Sequence, residues 1–329
     1  MSTTNNKIKV GVVGGAGYTG GELIRLLLLH PHVEISFIHS KSNAGKKIYT
    51  VHHDLLGETE LSFSDSLQQN IDVLFLCLGH GESLKFLQEN KIADRVKIID
   101  LSQDFRPGQN NNENKFIYGL TEAYKEKIKT AQYVANPGCF ATCIQLALLP
   151  LAQHGLLNHD IHINATTGST GAGQSLSATS HFSWRNNNLS TYKSFEHQHL
   201  KEIKKNLSSI QNNFNAAINF IPLRGNFTRG ILASTYTRCD KSLEELQDVF
   251  KAYYKASPFV HLAPFTIDLK QVVNTNKAFI QIEKHGDQVL ITSIIDNLLK
   301  GASGQAVQNM NVMFGIEETS GLKLKSIGF

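Results

Sequence analysis

The chain has 329 residues, 41% hydrophobic and 18% charged, and a formal net charge of +4. That length suits two domains with ample cores, and the small, dispersed charge offers no block for nucleic acid or a membrane surface. Four cysteines without metal-site spacing, a polar start (MSTTNNKIKV) unlike a signal peptide and no apolar run near the ~18 residues of a membrane span point to a reducing, cytoplasmic setting with no metal.

In chain order, Ile8 to Val13 reads as a short apolar strand, followed at once by Gly14-Gly15-Ala16-Gly17-Tyr18-Thr19-Gly20-Gly21. A helical run from Glu22 to His30 comes next and ends at Pro31. Strand, glycine turn and helix together give the glycines meaning: they allow a tight turn and close backbone approach, and the helix start receives a pyrophosphate. Gly14, Ala16, Gly17, Tyr18, Thr19 and Gly20 are the candidate contacts, in the spacing Gly-x-x-Gly-x-x-Gly.

The second strand, Val33 to His39, is where an NAD-selective site carries an acid for the ribose 2′-hydroxyl. Here the sequence continues Ser40-Lys41-Ser42-Asn43-Ala44-Gly45-Lys46-Lys47. Hydroxyls and lysines suit a 2′-phosphate, so Ser40 and Lys41 favour NADP(H) over NAD; a solvated lysine loop is the alternative.

Asp72 to Gly79 and Val96 to Leu101 are further apolar strands, leading into Gly79-His80 and Ser102-Gln103-Asp104-Phe105-Arg106. Strands alternating with helices predict a doubly wound parallel sheet, whose ligand crevice lies at the strands' C-terminal ends. Gly79, His80, Ser102, Arg106 and Asn136 sit on such loops. Arg106 suits a phosphate or carboxylate clamp, or else pairs with Asp104. Pro107 to Lys115 is polar and rich in breakers, which predicts a loop.

Gln132 to Ala135 is extended and Phe140 to Gln153 helical, with Asn136-Pro137-Gly138-Cys139 at the join. A thiol on the first turn of a helix faces unpaired N–H groups and the positive end of the macrodipole. Its pKa can fall well below ~8.5, and the thiolate is the nucleophile. Cys143, one turn on, lies on an apolar stretch and reads as core.

Beyond this point longer strands dominate: Ile161 to Thr167, Ala216 to Pro222, Ile231 to Arg238, and a hairpin of Ala278 to Lys284 with Val289 to Ile295. With one helix from Leu243 to Ala256, the pattern predicts an α+β domain on a mixed, largely antiparallel sheet, one face of which is left for a subunit contact. Gly168 to Gly173 is a small-residue loop in which Gly171 and Gly173 can approach a ligand.

His197, His199 and Glu202 open a polar helix, where a carboxylate can orient an imidazole on the same face. An imidazole near Cys139 can move its proton. Arg224 and Arg229 flank a turn and suit an anionic substrate. Asn297 precedes a final helix, Ala306 to Met313, expected to pack back on the nucleotide domain.

The stretches GVVGGAGYTGGEL, DLSQDFR, YGLTE, ANPGCFAT, TGSTGAG, HQHLKEI, RGI and DNLLKGASGQAVQNMN run in this order over nearly the whole chain. Together they resemble the N-acetyl-gamma-glutamyl-phosphate reductases of arginine biosynthesis, sisters of the aspartate-semialdehyde dehydrogenases. The resemblance implies a Rossmann-type NADPH domain over 1–138, with a C-terminal helix in 303–329, and a catalytic, substrate and oligomerisation domain over 139–302. It also implies homodimers or homotetramers, a catalytic cysteine at Cys139 and a catalytic histidine, carried over to His197 with His199 and Glu202 beside it.

The substrate implied is N-acetylglutamyl phosphate, reduced to the semialdehyde through a cysteinyl thioester. The alternatives are an N-succinyl substrate, aspartate semialdehyde, or an NADP(H)-binding redox sensor without turnover. Two departures stand out: Pro222-Leu223-Arg224 replaces a usual Pro-His-Leu, and Lys201 stands where proline is common. The added Arg224 suits an extra carboxylate.

Overall fold

The computed structural model describes residues 7–108 and 115–328. Most of the loop expected at Pro107 to Lys115 falls outside them. The chain divides into two compact units, Met1–Pro137 with Ala302–Lys323, and Gly138–Gly301 with Leu324–Phe329.

The first unit is built on seven strands: β1 (Ile8–Val13), β2 (Val33–His39), β3 (Phe63–Ser64), β4 (Val73–Leu76), β5 (Lys97–Asp100), β6 (Ile117–Tyr118) and β7 (Tyr133–Ala135). All neighbours are parallel, in the order β3-β2-β1-β4-β5-β7-β6. Strand order reverses between β1 and β4, which makes that point the crevice of a doubly wound sheet. The central strands are buried on both sides, as such a sheet requires: all four residues of β4 are buried.

Helices α1 (Tyr18–Leu28), α2 (Glu82–Glu89) and α3 (Thr121–Lys129) connect these strands. The helix α1 starts four residues before the expected Glu22, because its glycines belong to the helix. A Cβ on Gly20 would stand 2.6 Å from the Gly14 carbonyl oxygen, and one on Gly21 2.6 Å from the His52 ring.

The second unit carries α4 (Cys139–Gln153), β8 (Ile161–Thr167), α5 (Phe182–Arg185), β9 (Ser190–Thr191), α6 (His199–Ile210), β10 (Ile218–Arg224), β11 (Ile231–Arg238), α7 (Leu243–Tyr254), β12 (Val260–Leu262), β13 (Ala278–His285) and β14 (Gln288–Ile295). Its sheet runs β12-β13-β14-β11-β8-β10-β9. The β12–β13 and β8–β10 pairs are parallel and the other four antiparallel, the mixed, largely antiparallel sheet that the sequence predicts. The β13–β14 hairpin closes over Gly286 and Asp287, with Gly286 at φ 59°.

Strand alternation gives this sheet two faces. Ile231, Ala233, Val289 and Ile291 point to a core that α4 covers, and every α4 residue from Phe140 to Ala152 is buried. The other face holds Leu232, Tyr236 and Leu290, half-buried or exposed, with Tyr236 stacked on His162 at 4.9 Å.

The final helix, α8, covers Gly304–Met313, starting two residues before the expected Ala306. It packs on α3 and α1 within the first unit. Gly315 then turns the chain with φ 67°, a conformation that ends a helix without Cβ strain. No helix among the described residues is long and apolar enough to cross a membrane.

Candidate active site

Of the four cysteines, Cys77, Cys143 and Cys239 are buried and only Cys139 is partly exposed. Cys143 lies against the Ser293 carbonyl, Sγ to O 3.4 Å, and burial pushes its thiol up to about 12, so it is an inert core residue. Burial also pushes Cys77 far above the ordinary range. Cys139 is the first residue of α4, with Gly138 as its N-cap. That cap supplies no side-chain oxygen and the first turn holds no acid, so nothing on the helix itself competes for its N–H groups.

The residues around Gly138 come from the start of α6. Gly138 N–H donates to Glu202 Oε1 at 2.9 Å, and a Cβ on Gly138 would meet His199 Nε2 at 2.3 Å. Only glycine lets the imidazole lie flat against the chain one residue before the thiol. Glu202, His199 and His197 are all buried.

His199 N–H donates to His197 Nδ1 at 3.2 Å, and the His197 ring packs edge-on against Phe140, Tyr192 and Phe220. Burial first, then the Lys193 charge, lower its pKa to about 4. A neutral ring whose Nδ1 accepts carries its proton on Nε2, where it can serve an oxyanion.

Facing Cys139 from the other side is a π-turn, Leu299–Ser303. A Cβ on Gly301 would stand 2.8 Å from Cys139 Cβ, so this glycine gives the thiol its room. Asp296 holds the turn: its Oδ1 accepts from Leu298 N–H and Leu299 N–H, and its backbone oxygen accepts from Gly301 N–H at 2.9 Å. Arg229 binds that carboxylate with Nε and Nη2, at 3.0 and 3.1 Å. The structure thus places Arg229 on a fully buried acid of its own chain.

Asn297 lies next to this pair. It accepts from Gly230 N–H at 2.7 Å and donates to Thr170 Oγ1, locking the loop that contains Gly171 and Gly173, both exposed.

Arg224, at the end of β10, sits elsewhere in the second unit. Its Cζ lies 4.7 Å over the Tyr192 ring, and Tyr192 is itself 5.7 Å from His197. Burial and the Cys139 charge together push the Tyr192 hydroxyl up. Arg185 donates to the Arg224 carbonyl at 2.7 Å and is 7% exposed. Neither Tyr192 nor Arg185 stands out in the sequence, because only the fold brings them beside Arg224.

In the first unit the expected residues collect at the C-terminal ends of the parallel strands. Gly14 follows β1 with φ 79°, and a Cβ there would clash with the Cys77 carbonyl oxygen at 2.4 Å. Gly17 caps α1 without a side-chain hydrogen bond, and no acid lies in the first turn, which includes Tyr18, Thr19 and Gly20. Ala16 is half-buried in the same turn. This uncapped helix start and close-packed turn fit a pyrophosphate.

After β2, Ser40 accepts from Asn43 Nδ2, while Lys47 pairs with Glu60 at 3.2 Å. Lys41 has no ion-pair partner among the described residues; burial first, and then the Lys41 charge, lower the pKa of His39. Gly79 and His80 are exposed after β4, and His80 Nδ1 accepts from Gln103 N–H. Ser102 donates to Asp100 Oδ2 at 2.7 Å, and burial raises the Asp100 pKa to about 6.

Two expected ligand contacts are engaged with the backbone. Arg106 is 4% exposed and donates to the carbonyls of Asn136 and Leu101, at 2.8 and 2.7 Å. Asp104 instead caps α2 through Gly81 N–H and Leu84 N–H. Asn136 is fully buried, accepting from Asn309 Nδ2 and donating to the Ala302 carbonyl. Both residues shape the turn that precedes Gly138.

The chain matches two family models, the semialdehyde dehydrogenase NAD binding domain over residues 9–131 and the semialdehyde dehydrogenase dimerisation domain over residues 139–297. It is 60% identical to the N-acetyl-gamma-glutamyl-phosphate reductase of Flavobacterium johnsoniae, across 98% of this chain and 100% of that protein. The reductase of Phocaeicola vulgatus is 59% identical, over 98% and 100% of the two chains. The fold is that of aspartate semialdehyde dehydrogenase II from Vibrio cholerae, with a TM-score of 0.74 at 15% identity over 94% of this chain and 98% of that one.

The first unit is accordingly a nicotinamide-dinucleotide-binding domain. The chain belongs to the semialdehyde dehydrogenase family, and within it to the N-acetyl-gamma-glutamyl-phosphate reductases.

Proposed function

We propose that this chain reduces N-acetylglutamyl 5-phosphate to N-acetylglutamate 5-semialdehyde and phosphate, using NADPH and a thioester on Cys139, in the cytoplasmic synthesis of arginine and ornithine. The observation that carries the reading is the single partly exposed thiol, at an uncapped helix start, with His199 and Glu202 at the residue before it and His197 packed on His199. Sequence identity of 60% to a reductase of that name supports the substrate.

The Cys139 thiolate, favoured by the α4 N-terminus, attacks the acyl-phosphate carbon and the C–O bond to phosphate breaks. Bound NADPH supplies a hydride. His197, neutral at physiological pH, keeps its Nε2 proton and donates a hydrogen bond from it to the oxyanion left by hydride addition, which then re-forms the carbonyl as the C–S bond breaks and Cys139 leaves as thiolate. The first-turn N–H groups of α4 stabilise the same oxyanion. His199 and Glu202 position the Gly138–Cys139 turn, and Arg106 and Asn136 support it from the preceding residues.

The turn from Gly14 to Gly20 and the start of α1 hold the pyrophosphate. Ser40 and Lys41 favour the 2′-phosphate, since Lys41 has no ion-pair partner among the described residues and β2 ends in histidine rather than an acid. The face of the second sheet that carries Tyr236 and Leu290, beside the dimerisation-domain match, supports a homodimer or homotetramer.

Phosphate-dependent reduction of NADP by the semialdehyde, the reverse reaction, tests the reading. Cys139→Ala is expected to lower kcat at least ~1000-fold while NADP binding survives. Retained turnover in that variant would remove the thioester from the mechanism.

A further inference from the structure

Arg224 and Arg185 form a pair of neighbouring cations without an acid. Arg185 spends its nitrogens on neutral oxygens: the Arg224 carbonyl, the Thr179 carbonyl and Ser190 Oγ. Arg224 lies on the Tyr192 ring, and its buried Nε has no hydrogen-bond partner. Neither has a carboxylate partner among the described residues, whereas Arg229 a few residues on is fully neutralised by Asp296.

Two like charges near one another, one of them more than nine-tenths buried, oppose folding unless an anion compensates them. The guanidinium fork selects a planar carboxylate or a phosphate oxygen pair.

The place of this pair says which part of a substrate it meets. Tyr192 joins Arg224 to the reaction centre, with its ring 5.7 Å from that of His197 and its hydroxyl within electrostatic reach of Cys139. Arg185 and β9 pin the end of β10 from behind: Ser190 pairs with Arg224 in the sheet, and Arg185 binds the Arg224 carbonyl. The backbone under Arg224 is therefore fixed while its Nε remains uncommitted. A phosphate on the reacting carbon leaves in the first step, so a receptor built to hold the substrate through both steps needs a charge that stays.

We propose that Arg224, laid on Tyr192 and backed by Arg185, is a receptor for a substrate carboxylate that orients the end of the molecule remote from the Cys139 thioester. This deepens the reductase reading and rests on it. Two carboxylates have this chemistry, the α-carboxylate of the glutamyl group and a terminal carboxylate on the N-acyl group.

Kinetics with three aldehydes separate them: N-acetylglutamate semialdehyde, its α-amide, and N-succinylglutamate semialdehyde. Arg224→Gln should raise KM for the carboxylate-bearing substrate on the order of 10- to 100-fold, the worth of one charge-assisted hydrogen bond, with kcat within a few-fold. Arg224→Lys should retain part of the affinity.

If the α-carboxylate is bound, the wild type rejects the α-amide and Arg224→Gln does not. If the acyl carboxylate is bound, the wild type prefers the succinyl aldehyde and Arg224→Gln loses that preference. An unchanged KM for all three in a folded Arg224→Gln variant would overturn the proposal, as would a wild type indifferent to both carboxylates.

Should Arg224→Gln not fold, Arg224→Lys and Tyr192→Ala carry the same comparison. Should the wild type oxidise none of the aldehydes, the reductase reading fails. Calorimetric binding of N-acetylglutamate and N-succinylglutamate, present in the wild type and lost in the variants, then still decides the receptor.

Discussion

His197 shows how one buried side chain ties chemistry to stability. Its pKa falls from 6.5 to about 4, chiefly through burial. Between those values the unfolded chain binds a proton that the folded chain refuses, so stability rises with pH across that window and is lost on acidification through it. The loss approaches roughly 3 kcal/mol for one histidine. Asp100, whose pKa is raised to about 6, works in the opposite direction, so the comparison must be made against a variant. Urea unfolding at successive pH values should show the wild type losing more stability from pH 6.5 to 4 than His197→Asn does; parallel curves would place His197 in solvent.

Other residue roles were only half legible. Cys139 can be read from the sequence because a thiol after Gly138, between a strand and a helix, has few structural uses. Arg229 and Arg106 carry the same guanidinium as Arg224, and sequence alone gives all three the same anion-binding role. Their partners separate them: the Asp296 carboxylate for Arg229, backbone carbonyls for Arg106, and a tyrosine ring for Arg224. Apart from the Leu101 carbonyl, five residues before Arg106, those partners lie tens of residues away and leave no local pattern.

At the scale of elements, the π-turn Leu299–Ser303 is the piece whose geometry bears most directly on the thiol. Gly301→Ala would bring a methyl group to 2.8 Å from Cys139 Cβ, a distance real side chains do not tolerate, so the turn or the thiol must move. Misplacement by about 1 Å is worth up to ~100-fold in rate. The variant should keep its fold by circular dichroism, lose ~10- to 100-fold in kcat and alkylate more slowly at Cys139. Wild-type kinetics would mean that the turn gives without disturbing the thiol.

The longer elements followed from pattern. β1, β2, β8 and β11 have the limits their apolar runs predict, and α4 starts at Cys139, one residue before Phe140. Pattern failed for β3, β6 and β9, each two residues long and too short to show alternation. It also failed for α3, whose sequence TEAYKEKIK buries only Thr121 and Ile128 and so shows almost no apolar stripe.

For the whole molecule, alternating strands and helices in the first half and long strands in the second announce one parallel and one mixed sheet. Residues 302–323 return to the first unit, as expected from chain direction for the helix Ala306 to Met313; what pattern does not show is what holds them there, where Asn309 bonds both Asn136 and Gly119 and Asn311 reaches His30. Buried amides such as these look like surface residues in a sequence. Their burial is decided by partners more than 170 positions away, 173 in the case of Asn309 and Asn136.

Both sheets, the glycine turn and the two histidines acquire a common purpose only if Cys139 carries the acyl group. Incubating the enzyme with N-acetylglutamyl phosphate in the absence of NADPH stops the reaction before reduction, and mass spectrometry of the digested protein then locates the adduct. The expected adduct is an N-acetylglutamyl thioester on the peptide containing Cys139, released as semialdehyde on adding NADPH and absent from Cys139→Ser. An enzyme that turns over normally yet forms no adduct, or forms it on another residue, would contradict that role of Cys139.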